Sequence, residues 1–114
     1  MNYKLPYDFV LQYLYPVRPT VQKMFGCYGL FIDKKNVLLL RDRENNPEFN
    51  GVFVATNPEH FDELSKEIHS SQMDFDLDGS QHSWIFISED LDDFNEKVKL
   101  ACEMIKAGDK RIGK

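Results

Sequence analysis

Apolar side chains recur along this chain with two different periods, and the changes of period divide it into elements. Phe9, Val10, Tyr13 and Leu14 follow helical spacing, with Pro6 to start it and Pro16 and Pro19 to stop it, which predicts a helix over 6–15. Residues 20–25 are extended in character, and Gly26 and Gly29 bracket Cys27-Tyr28 ahead of the run Leu30-Phe31-Ile32. Glycine so placed implies a bulge or a close backbone approach. The polar turn 33–36, whose Asn36 tolerates a positive φ, joins that run to Val37-Leu38-Leu39-Leu40 as a hairpin. The charged loop 41–50 carries Pro47, and Asn50-Gly51 turns into a third strand, 52–55.

Asn57 caps a second helix with Pro58 at its first position and Phe61, Leu64 and Ile68 as its apolar stripe, predicting 58–69. Met73, Phe75 and Leu77 alternate with Asp74, Asp76 and Asp78, the clearest period of two in the chain. Asp78-Gly79-Ser80 then turns toward Trp84-Ile85-Phe86-Ile87, a second hairpin. A last helix follows, capped by Ser88 or Asp90, with acids at positions 89–93 and Leu91, Phe94, Val98, Ala101 and Ile105 on one face before Gly108. The predicted order is α-β-β-β-α-β-β-α. Its short connections make a two-layer α+β domain, an antiparallel sheet carrying helices on one side.

At 114 residues the chain is one domain, 1–114, with 42% hydrophobic and 29% charged residues, the composition of an ordinary globular protein. Fourteen Lys and Arg against nineteen Asp and Glu leave a formal charge of -5, so a phosphate backbone meets no global attraction and nucleic acid is not an expected partner. No run reaches the length of about 18 apolar residues needed to cross a membrane, and the first eight residues form no apolar leader core. A cytoplasmic protein is expected, with no membrane partner. In that setting Cys27 and Cys102 are expected to be reduced, buried thiols.

Candidate chemistry is sparse. His60 and His69 lie nine residues apart on the second helix, hence on opposite faces, and His82 is separate, so no metal site is expected. His60 with Glu63 reads as a surface contact, and the acids at 89–93 and at 74, 76 and 78 read as a helix start and a solvated strand face. Cys27 has no basic neighbour in sequence to activate it, and no nucleophile elbow, dinucleotide fingerprint or phosphate loop is present, so neither catalytic residues nor a cofactor are assigned. Arg41 and Arg43, two residues apart at the end of a strand, share a face and are the candidate ligand-binding pair, able to hold a carboxylate or phosphate.

The segment Lys23-Met24-Phe25-Gly26-Cys27-Tyr28-Gly29 resembles the opening of the TfoX N-terminal domain family, whose pattern is a basic residue followed by Met-Phe-Gly-Gly-x-Gly. Lys23, Met24, Phe25, Gly26 and Gly29 match, and Cys27 replaces the second glycine. The stretches 37–43, 50–56 and 108–114 resemble a branch of small uncharacterised bacterial proteins related to it. The resemblance implies an α-β(3)-α-β(2)-α fold similar to the secretion-chaperone-like group, and a link to regulation of competence. The typical regulator carries a second, helical domain that this sequence does not contain, and the family supplies no catalytic residues to carry over.

Two functions of different class follow. The first is a non-enzymatic regulatory or protein-interaction domain, binding a protein partner or itself. The alternative is a small-molecule or anion-binding protein, an enzyme included, that uses Arg41, Arg43 and the loop 24–29. Trp84 and Phe86 occupy one face of their strand and Ile85 and Ile87 the other, while helices are expected on one side only. Apolar surface would remain on the other side, which implies a homodimer through the sheet face or an edge strand. The isolated protein is expected to bind duplex DNA no more tightly than about 10 μM at physiological salt, and a salt-dependent gel shift at lower concentration would contradict this.

Overall fold

A computed structural model describes residues 5–68 and 83–114. Five strands, β1 Thr20–Met24, β2 Cys27–Ile32, β3 Lys35–Arg41, β4 Gly51–Ala55 and β5 Trp84–Ser88, form one antiparallel sheet in sequential order. Helices α1 Phe9–Leu14, α2 Pro58–Ile68 and α3 Phe94–Lys106 complete an α+β architecture, with a single 3-10 turn at Pro47–Phe49. The strand expected over 73–77, its turn at 78–80, and His69 and His82 lie outside the described residues.

Two boundaries differ from the sequence reading. The glycines near Cys27 mark no bulge in a continuing strand. Phe25 and Gly26 instead both take positive φ, 53° and 71°, in a two-residue turn that separates β1 from β2. Similarly the β2–β3 turn places its positive φ at Asp33 and Lys34, not at Asn36, which is a buried strand residue. The last helix starts later than its acids imply, at Phe94, because Ser88 Oγ accepts the Asp90 N–H in a preceding turn instead of capping the helix.

Burial follows the alternation of strand side chains. Leu38 and Leu40 of β3, Val52 and Val54 of β4, and Ile85 and Ile87 of β5 point to one face. There they meet Val10 and Leu14 of α1, Leu64 and Ile68 of α2, and Val98, Ala101 and Cys102 of α3. Leu39, Phe53, Ala55, Trp84 and Phe86 form a second buried cluster on the other face with Cys27, and the rings of Phe53 and Phe86 stack 4.7 Å apart. Trp84 and Phe86 are each only 2% exposed within the single chain. The face expected to remain bare is therefore already buried within the single chain, and a dimer through that sheet face loses its physical basis.

Two departures from a regular ladder shape the sheet. The β2–β3 register shifts between Leu30↔Leu38 and Phe31↔Asn36, leaving Val37 as the extra residue of a bulge. Val37 thereby joins the helix-side core, while Asn36 faces Met24 on the opposite side. At Gly51, φ is 151° and a Cβ would fall 2.1 Å from Ile87 O, so only glycine lets β5 approach this closely.

Past Leu38↔Val54, β3 and β4 stop pairing, and residues 112–114 enter between them. Gly113 N–H donates to Ala55 O (2.8 Å), and Lys114 exchanges both backbone hydrogen bonds with Asn36 (3.1 Å each). Thr56 Oγ1 donates to Arg111 O at 2.6 Å. The Arg111 guanidinium binds Asp109 and Glu67 and lies 3.4 Å from Glu63, tying this segment to α2. That guanidinium holds the Asp109 carboxyl below the usual range. Replacing fully buried Thr56 by isosteric valine leaves the Arg111 carbonyl without this donor. The Thr56→Val protein is expected to lose about 1–2 kcal/mol of stability in urea unfolding, with faster amide exchange at 112–114.

Candidate functional site

Residues 23–27 form the β1–β2 turn at one end of the sheet. The Phe25-Gly26 turn brings Met24 opposite Cys27, and the Met24 side chain folds back over β2. A Cβ on Gly29 would lie 2.5 Å from Met24 Sδ and 3.1 Å from Phe31 Cε1, so the missing side chain is what admits this crossing. Met24 Sδ in turn receives the Asn36 amide Nδ2 at 3.5 Å. Lys23 Nζ stands 5.9 Å from the centre of the Tyr28 ring. Lys23, Met24, Gly26 and Gly29 thus have local roles in building the hairpin, while Phe25 leaves its ring exposed.

Arg41 and Arg43 both come to this end, beside Cys27. Arg41 is 5% exposed and its guanidinium is occupied: Nη1 donates to Asn46 O and Asn50 Oδ1 at 2.8 Å, and Nη2 to Asn45 O at 2.6 Å. Asn50 also accepts from the Arg43 N–H and donates to the Arg43 carbonyl, both at 2.9 Å. One buried guanidinium and one amide therefore fold the loop 42–50 back on its own strand. Arg43 is exposed, with its guanidinium against Gly26. Sequence spacing paired the two arginines; it gave no sign that Arg41 would be consumed by its own loop, because two of the three acceptors are backbone carbonyls and the third, Asn50 Oδ1, is brought to it only by the fold of the loop.

Neither arginine is near Cys27 in sequence, yet the fold supplies the basic neighbours that a linear reading lacks. Burial pushes the Cys27 thiol up, and Arg41 and Arg43 only partly pull it back. Its Sγ contacts Phe25 O at 3.5 Å. Cys102, in the helix-side core, is pushed up to about 12 by burial. Both cysteines are free and buried, so the arrangement favours protonated, shielded sulfur over a thiolate nucleophile.

At the other end of the same face stand Ser83, Trp84, Asn36 and Lys114. Lys114 Nζ donates to Ser83 Oγ at 3.0 Å and lies 4.9 Å from the Trp84 ring centre. Among the described residues, Asn36 Oδ1 and Trp84 Nε1 are buried without a hydrogen-bond partner. Sequence reasoning missed this group, since residues 36, 84 and 114 become neighbours only through the inserted segment.

The remaining candidates are peripheral. His60 lies 3.9 Å from Glu59, while Glu63, its expected companion, instead faces Arg111. Among the described residues no group of three or more His, Cys, Asp or Glu side chains is arranged to hold a metal ion, and no helix is long and apolar enough to cross a membrane. No protein-family model, curated protein or solved structure matches this chain.

The two arginines separate experimentally. Arg41→Lys removes the fork that spans three acceptors and is expected to cost about 2 kcal/mol in chemical unfolding, with faster amide exchange over 44–50. Arg43→Ala should cost less than about 0.5 kcal/mol, as exposed substitutions do. Equal effects would contradict the assignment.

Proposed function

We propose that this chain is a non-enzymatic protein-interaction domain of regulatory type, similar to the TfoX N-terminal domain in fold and in its Met24–Gly29 turn, and that it works as a homodimer in a bacterial cytoplasm. The observation that carries the reading is large apolar side chains held in water on α1 and at its C-terminal end. Leu11 is 38% and Tyr15 65% exposed. Tyr15 directly follows the last residue of α1 and its N–H donates to Leu11 O at 3.1 Å, and with Gln12 the two line a shallow groove of about 450 Å³. Exposed apolar surface of this kind is where partners bind. The inner side of the same helix is fixed by Val10 and Leu14 in the core, so the outward pair is presented on a supported element.

The anion-binding alternative draws less support from the geometry. Arg41 has its guanidinium bound by three loop acceptors, which leaves Arg43 alone to meet a ligand. A lone exposed guanidinium lacks the convergent polar groups of a small-molecule site.

Sedimentation velocity at micromolar concentration tests the proposal. The chain is expected to sediment above the mass of its 13.4 kDa monomer, and Tyr15→Asp is expected to weaken self-association at least about tenfold without changing the far-ultraviolet dichroism. A monomer across that range, or a dimer indifferent to Tyr15, would reject the α1 surface as the contact.

A further inference from the structure

We propose that the free edge of β1 is a docking strand for an extended acidic segment of another protein, which adds to the sheet as a sixth strand. The inference rests on the interaction-domain reading and names a surface and a partner for it. β1 is the first strand of the sheet, so among the described residues only β2 pairs with it and its outer row of backbone N–H and C=O groups has no strand partner. The edge is regular. Its register with β2 runs without a shift from Thr20↔Phe31 to Met24↔Cys27, and Pro19 lies outside it. Thr20, Gln22 and Lys23 are exposed. Five residues at about 3.4 Å each give a platform of roughly 17 Å, enough for a peptide strand to exchange main-chain hydrogen bonds along it.

Charge selects the partner. The chain as a whole carries -5, yet within residues 17–35 the cations Arg18, Lys23, Lys34 and Lys35 face a single acid, Asp33. None of these four forms an ion pair among the described residues. A second copy of β1 suits this edge poorly. In an antiparallel pairing centred on Gln22, Lys23 of each copy stands diagonally beside the other on the same face, and like charges so placed repel. An acidic strand meets the opposite situation, with attraction to Lys23 on β1 and to Arg18 just before it, neither of which forms an ion pair among the described residues. Among the described residues the strand at the other end of the sheet is β5, which lacks this character, because four of its five residues are buried and apolar.

The probe is a capped seven-residue peptide alternating Glu and Val, with a Lys-Val peptide of the same length as control. Added to the full chain, the Glu-Val peptide should slow amide exchange at residues 20–24 and leave exchange in α1 unchanged. The double variant Arg18→Glu/Lys23→Glu, both at exposed positions, should weaken peptide binding at least about tenfold, and raising NaCl from about 0.05 to 0.5 M should weaken it in the unmodified chain. Equal protection by the Lys-Val peptide, or no protection by either, overturns the proposal. Protection of residues 20–24 that grows with protein concentration and without peptide also overturns it, in favour of a second copy. Tyr15→Asp should leave peptide binding intact, so failure at β1 and failure of the α1 contact register as separate results.

Discussion

Three neighbouring strands, β3, β4 and β5, carry continuous apolar runs, Val37–Leu40, Val52–Ala55 and Trp84–Ile87, and a sheet built from such runs has to be covered on both faces. This constraint organises the rest of the molecule. One face takes all three helices through Leu38, Leu40, Val52, Val54, Ile85 and Ile87. The other gathers Leu39, Phe53, Ala55, Trp84 and Phe86 with Cys27. Each fully buried large side chain contributes about 1.5–3 kcal/mol relative to exposure, so an uncovered face with Phe53, Trp84 and Phe86 would forfeit several such terms. Continuous apolar runs are the pattern of strands buried on both sides, and here they occur in an antiparallel sheet.

Covering the sheet shifts polar groups to its margins, where they serve structure. Arg41 sits at the end of β3, buried, and answers the loop 42–50 with one guanidinium. Arg111 anchors the inserted segment to α2 through Glu67, and the neighbouring Asp109 holds its guanidinium. Tyr7 donates to Glu89 at 2.6 Å, and burial together with that carboxylate raises its phenol well above the usual value. In each case a partly or fully dehydrated group is held by a specific acceptor, as the cost of leaving it unpaired requires. The exposed Leu11 and Tyr15 and the outer edge of β1 take no part in these clusters.

Much of the fold is legible in the sequence. The helical spacing of Phe94, Val98, Ala101 and Ile105 and the Pro58 start of α2 follow from period and proline placement, and the strands at 37–40, 52–55 and 84–87 follow from their apolar runs. The turn at Phe25-Gly26 was less legible because a non-glycine residue adopts positive φ there, which only the hairpin's twist favours. The expectation that Arg41 and Arg43 share a face depends on the strand continuing, and β3 ends at Arg41. Whether a guanidinium remains free depends on two backbone carbonyls and the Asn50 amide, which only the folded loop brings to it.

By itself, then, the order of residues determined the element types, the alternation that sorts strand side chains between two faces, the acidic balance, and the positions of the two thiols. Those properties are local or additive, and period, propensity and charge counts are sufficient for them. Tertiary structure alone decided which faces were covered, that Arg41 is consumed, that Cys27 acquires two basic neighbours, and that residues 112–114 lie between β3 and β4 beside Asn36. The bulge at Val37 and the parting of β3 and β4 beyond Leu38 create the opening for that segment. Such pairings join residues about 60 to 80 positions apart. They form because unpaired backbone groups in a buried sheet must find partners, and the nearest ones are set by packing, not by sequence neighbourhood.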